Sequence, residues 1–247
     1  MTGILLSTLA IAGAAPFDHD HKALTHFLEG AVSSKGVDYR VLASRKAQLE
    51  RYLDTVAAVD ASGFTKHQRL ALYVNAYNGY TLKLMLDEGP PKSITDLDGG
   101  KVWDTRQYVV AGEKLTLNQM EHGKARKLTD GRVHAVVNCA SKGCPPLPPQ
   151  ALSANRVEDQ LNAAARTWAR TNAFSWSGNT VRLSSIFDWY GEDFASADRG
   201  DLAGVDGKPE DALWFLSRYV DPSTKDRLLS GSIQTDWQVY DWSLNQR

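Results

Sequence analysis

From Thr65 to Glu88 the chain carries one long helical pattern, apolar on nearly every side between Leu70 and Leu86 and closed by Gly89-Pro90-Pro91. A helix at the surface of a globular protein confines its apolar residues to one stripe, so a helix without a polar face belongs in the interior. The glycine just past its end and the prolines that follow cannot continue it. Two asparagines, Asn75 and Asn78, interrupt the apolar run three positions apart, on one face. Asparagine is a poor interior helix residue because its amide competes for backbone partners, and a buried amide must be satisfied. Either these amides tie the helix to a loop, or they wall a site where an asparagine orients a catalytic group or a substrate carbonyl.

The segments around this helix change period several times. Helices are expected over Asp18–Leu28, over Arg45–Val59 (Leu49, Tyr52, Leu53 and Val56 at i, i+3, i+4, i+7), over Ala154–Thr171 and over Asp211–Val220. Gln107–Thr116 reads as a hairpin turning at Gly112, and Phe174–Leu183 as a second one around Ser177-Gly178-Asn179. Thr116 with Gln119 forms a capping box that opens a helix carrying Glu121 and His122. Ser185 with Asp188 suggests another, over Ile186–Phe194. Arg132–Cys139 is rich in β-formers and reads as a central strand, and Ser232–Trp242 as a closing strand. Few strands, mostly in hairpins, among many helices favour an α+β class: several helices around a small, mostly antiparallel sheet. The 247 residues show no repeat and no Pro/Ser-rich linker, so one domain is expected.

Composition excludes several classes. With 43% hydrophobic and 23% charged residues the chain is neither disordered nor a coiled coil. The net charge of −1, without any basic block, leaves no footprint for nucleic acid. The apolar run Ile4–Ala12 followed by Gly13-Ala14-Ala15-Pro16 fits a signal peptide over residues 1–14, with cleavage before Ala15 and a periplasmic or secreted product. No later stretch is apolar for the 18 or so residues of a membrane span. Residues 15–36 then form an N-terminal helical segment, with His19 and His21 in a solvated stretch.

Chemistry concentrates around two cysteines. Cys139 stands at the end of the expected central strand and Cys144 in the proline-rich loop after it. A thiolate activated by a base is a nucleophile, and His122 is a candidate base if the fold brings it close. Two cysteines in an exported protein equally suggest a disulfide, and a bridged sulfur cannot attack. Glu121 and His122, being adjacent, point about 100° apart on a helix and do not make a zinc pair. His134 reads as a packed or edge residue rather than a ligand, and no metal or other cofactor is expected. G-x-S-x-G, P-loop and dinucleotide motifs are all missing.

Leu70–Asn78, Lys92–Ile94 with Trp103, Leu115–His122, Arg132–Pro145, Leu183–Phe194 and Tyr240–Asn245 together resemble, in order, the domain of unknown function 547 family. The resemblance runs from about Val37 to Asn245, and the family-like domain is expected over 37–247. It implies an often exported bacterial protein with no firmly attached function, and marks Asn75–Asn78, Glu121-His122 and Cys139–Pro145 as signature blocks. Two functions are expected to compete. One is a cysteine-dependent hydrolase or acyl transferase using Cys139, His122, Glu121 and Asn78 as catalytic residues. The other is an envelope binding module with a Cys139–Cys144 disulfide. Asn75, Tyr77, Asn138 and Cys144 are the candidate ligand contacts, and a monomer acting on a small molecule or peptide is expected.

Overall fold

Residues 16–196, 202 and 205–247 are described by a computed structural model, and the segment read as a signal peptide lies outside them. Three helices lead to the central one: α1 (Lys22–Leu28), α2 (Tyr39–Ser44) and α3 (Lys46–Ala58). A strand pair, β1 (Val32–Ser33) with β2 (Gly36–Val37), joins the first two. The central helix, α4 (Lys66–Asp87), starts at a full capping box between Thr65 and Gln68 and ends before Gly89, whose φ of 65° lies in the left-handed region. Its residues are buried almost continuously from Leu70 to Met85, as an all-round apolar pattern requires. Leu24 and Phe27 of α1 and Leu49, Leu53 and Val56 of α3 share its core. A glycine suits position 79 because a Cβ there would meet Leu53 at 3.0 Å, so α3 and α4 approach closely.

After α4 come α5 (Val102–Thr105) and the hairpin β3 (Tyr108–Val110) with β4 (Glu113–Leu115), turning through Ala111 and Gly112, both at positive φ. The Thr116/Gln119 capping box forms, but the helix it opens widens into π-helical turns over Gln119–Lys124 and tightens to a 3₁₀ turn over Ala125–Leu128. Helix α6 (Val157–Thr171) follows the proline-rich loop. The second hairpin, β5 (Phe174–Ser177) with β6 (Thr180–Leu183), forms as expected and leads to α7 (Ser185–Trp189). Then come α8 (Lys208–Ser217), α9 (Pro222–Leu228) and β7 (Gln234–Trp237), which joins β6 in parallel. Strands therefore form three small sheets, not one, but the α+β class and the mostly antiparallel pairing hold. Trp168 of α6, Phe187 of α7, Phe194 and Phe215 of α8 build a second core, with the rings of Trp168 and Phe187 stacked at 4.7 Å.

Four expectations need correction. Arg132–Cys139 is not a strand: Asp130 caps a 3₁₀ turn over Gly131–Ala135, and the backbone beyond it is satisfied by the side chain of Asn78 instead of a neighbouring strand. The second capping box is absent: Ser184, not Ser185, is the N-cap, and a 3₁₀ turn at Gly191–Asp193 separates α7 from Phe194. The closing strand is shorter than Ser232–Trp242, ending at Trp237. His21 is not solvated but buried. Its Nδ1 lies 2.8 Å from the Tyr52 hydroxyl, and burial lowers its pKa to about 4.

Past β7 the chain threads back across the molecule through backbone bonds. Gly143 N donates to Asp241 O and Lys142 N to Ser243 O, each at 2.8 Å. Leu244 N donates to Lys92 O at 2.8 Å, Asn245 N to Ala140 O at 3.0 Å, and Val37 N to Asn245 O at 2.9 Å. Residues 241–245 thus join the first strand pair, the segment after α4 and the cysteine loop.

Candidate active site

The cysteine loop is hung from α4 by amides. Asn78 donates its Nδ2 to Val136 O at 2.7 Å and accepts from Asn138 N at 2.9 Å. Asn75 makes the same pair with Leu152, at 2.8 and 2.9 Å. Each side chain supplies one rung of a ladder that a strand would otherwise supply, so the first of the two readings of these asparagines, a tie between helix and loop, is the one that describes them. Asn138 closes the loop from within: its Oδ1 accepts from Ala140 N and Asn245 Nδ2, and its Nδ2 donates to Pro145 O. Ala140 takes φ 61°, a left-handed conformation that costs a residue with a Cβ roughly 1–2 kcal/mol. This held strain sits directly after Cys139.

Both cysteines are free thiols. Cys139 Sγ lies 3.1 Å from Ser141 Oγ and 3.2 Å from the Tyr240 hydroxyl. Cys144 Sγ accepts from Cys139 N at 3.1 Å and lies 3.2 Å from the same hydroxyl. A hydrogen bond from the Cys144 thiol, helped by those from Ser141 and Tyr240, outweighs burial and holds the Cys139 thiol below its usual range. Burial moves Cys144 the other way, as does its bond to Cys139, so it stays a thiol. Burial, then the two sulfurs, keep the Tyr240 phenol protonated and hence a donor.

Both sulfurs line a cavity of about 260 Å³ where the two cores meet. Tyr77, Glu121, His134 and Tyr190 form its polar wall, and Trp103, Trp189, Tyr240 and Trp242 its aromatic side. Trp189 and Trp242 stack at 5.8 Å and 17°, and at 42% and 36% they are the exposed large aromatics among the described residues. Glu121 is buried, which, with the nearby Cys139 sulfur, raises its carboxyl to about 7 against a hydrogen bond from Tyr77. Its Oε1 lies 3.9 Å from His134 Nδ1, while His134 Nε2 bonds to Asp193 Oδ2 at 2.7 Å. Burial alone would raise Asp193, but hydrogen bonds from His134 and Arg126 bring it down to about 2. An ionised Asp193 makes Nε2 the donor, which leaves the Nδ1 lone pair of His134 facing Glu121. Burial keeps His134 neutral by lowering its pKa.

The candidates from the sequence separate accordingly. Cys139, Cys144, Glu121 and Tyr77 share the cavity, whereas Asn75, Asn78 and Asn138 shape the loop from behind it. His122 is not on the cavity wall. Its Nδ1 accepts from Arg126 at 3.1 Å, and its hydrogen bonds do not include either sulfur. The wall histidine is His134, which sequence reasoning treated as packing. Its burial fits that reading, but its partner Asp193, 59 positions away, gave no local signal. Tyr240 was missed as a sulfur partner for the same reason. Among the described residues, no group of three or more His, Cys, Asp or Glu is arranged to hold a metal ion, and no helix is long and apolar enough to cross a membrane.

Fold and site define an α+β protein with two thiols that share the Tyr240 hydroxyl as a partner in an aromatic cavity. Residues 61–168 match the family described as "Protein of unknown function, DUF547", in agreement with the resemblance carried by the motifs. The matched stretch includes Asn75–Asn78, Glu121, His134 and both cysteines, but not Tyr190, Asp193 or Tyr240. No curated protein and no solved structure matches the chain.

Proposed function

We propose that the protein is an exported, monomeric cysteine-dependent acyl transferase or hydrolase acting on a small molecule or peptide. One observation carries the reading: the hydroxyls of Ser141 and Tyr240 converge on the Cys139 sulfur in a cavity shared with a largely buried carboxyl. The Cys139 thiolate attacks an acyl carbon to form a thioester, and the leaving group takes the proton of Glu121. The resulting carboxylate then takes a proton from the water or acceptor that cleaves the thioester. A carboxyl titrating at about 7 is suited to both transfers at neutral pH. His134, oriented by Asp193, presents a lone pair to Glu121 and supports its proton exchange. The apolar rim of Trp189 and Trp242 favours substrates with a flat or apolar part.

The test is incubation with short-chain p-nitrophenyl esters followed by mass analysis of the intact chain. A hydroxylamine-labile acyl group on Cys139, absent from Cys139→Ser, is expected. Glu121→Gln should still acylate but turn over roughly 10²–10⁴ times more slowly. An unmodified Cys139 would overturn the reading. A second reading, binding without turnover, is favoured by the stacked tryptophan pair alone, and corresponds to saturable quenching of tryptophan fluorescence with no acyl adduct.

A further inference from the structure

Acyl chemistry requires one sulfur, and the site is built around two. If Cys144 served only as a donor to Cys139, nothing would need to be aimed at its own sulfur. Two donors are: the Cys139 N–H at 3.1 Å and the Tyr240 hydroxyl at 3.2 Å. Donors converging on a sulfur are what a thiolate requires. The Tyr240 hydroxyl is 2.9 Å from Ser141 Oγ and 3.2 Å from each sulfur, so with Ser141 donating to it its own proton can turn from one sulfur to the other without moving the ring. Exposure is divided in the same sense, Cys139 being partly accessible and Cys144 buried. An accessible attacking thiol with a covered second thiol in reach is the arrangement that thiol–disulfide exchange needs.

We propose that Cys139 and Cys144 form a dithiol that reduces small disulfides, Cys139 attacking and Cys144 resolving. The Cys139 thiolate attacks one sulfur of R–S–S–R′, the S–S bond breaks, and R′S⁻ leaves and takes up a proton. Cys139 is then a mixed disulfide and no longer an acceptor. Tyr240 O–H and Cys139 N–H now both serve Cys144, which gives up its proton to solvent. Its thiolate attacks Cys139 Sγ and expels RS⁻, which is protonated in turn. The chain gains an internal disulfide and loses two electrons and two protons, and the substrate becomes two thiols. This activity shares its attacking sulfur with the acyl reading but differs in electrophile and in needing Cys144. In the oxidised state no acyl chemistry is possible.

The experiment uses the reduced full-length chain and oxidised glutathione, quenched in acid and read by intact mass and non-reducing peptide mapping. Wild-type protein should release both halves of the glutathione disulfide as thiol and carry a Cys139–Cys144 bridge with no adduct. Cys144→Ser should stop halfway, release one half, and keep a glutathione on Cys139. The reduced wild-type chain is run in parallel with the ester probe, and an acyl group on Cys139 without release of glutathione separates failure here from failure of the acyl reading. Wild-type protein that retains a stable glutathione adduct, or a folded Cys144→Ser protein that fails to react, would overturn the proposal. Should Cys144→Ser not fold, wild-type protein decides alone, since a bridge without adduct supports exchange and an unbridged chain refutes it.

Discussion

The hydroxyl of Tyr240 lies 3.2 Å from the sulfur of Cys139, a residue 101 positions earlier in the chain. A thiolate is stabilised in proportion to the donors it keeps, and this one comes from a segment that shares no regular strand with the cysteine loop. In Tyr240→Phe the ring remains but the donor is lost. The pH profile of iodoacetamide alkylation at Cys139 should therefore inflect below the free-thiol value near 8.5 in wild type and move upward in Tyr240→Phe. Coincident profiles would mean that Tyr240 does not act on the thiolate.

Glu121 makes stability depend on pH with a definite sign. Its carboxyl is raised from 4.5 to about 7 in the fold, so its stabilising contribution is whole below pH 4.5 and is lost as pH rises through 7. A change of that size carries on the order of 3 kcal/mol by pH 8. Glu121→Gln keeps an amide in place of the protonated acid and should flatten this fall. Urea midpoints of the two proteins at pH 5 and pH 8 measure it, with the variant gaining on wild type only at the higher pH.

The two histidines beside Glu121 should separate in ester turnover. His134 faces Glu121 and is held by Asp193, whereas His122 accepts from Arg126 and lies off the cavity wall. His134→Ala is expected to lower kcat by at least tenfold, with acylation of Cys139 still detectable. His122→Ala should stay within about threefold of wild type. The opposite ranking would restore His122 as the base.

Asn78→Leu removes the partner of Val136 O and of Asn138 N, both buried next to the cysteine loop. Each abandoned group costs about 1–3 kcal/mol. Asn75→Leu does the same to Leu152. Both variants should lose stability by calorimetry to a similar degree, but only Asn78→Leu should also slow alkylation of Cys139.

Periodicity made the central helix, α3, α6 and both hairpins legible, because their signals lie within ten to twenty neighbouring residues. Val133, Val136 and Val137 misled for a physical reason: β-branched side chains report burial, and burial here comes with a helix-borne amide in place of a neighbouring strand. Helix α9 was overlooked although Asp221-Pro222 is a cap followed by a first-turn proline, a signal that local reading could have used. The cysteines, Glu121 and Tyr77 were found as residue types in suggestive blocks. His134 with Asp193, and Tyr240 with both sulfurs, join positions far apart, and a single sequence contains nothing that links them.

Because residues 241–245 bond to the cysteine loop on both sides of Ser141, the order of synthesis matters to the chemistry. A nascent chain exposes both cysteines long before Tyr240 and Asn245 have been made. Until then Cys139 lacks one of its donors and Ala140 lacks a bond that holds its strained turn. The thiols should therefore have ordinary reactivity during translation, and acquire their acidity as the last stitch is drawn through the loop. Folding to completion would arm the site, and a proteolytic cut before Tyr240 would disarm it without touching the cavity's other walls.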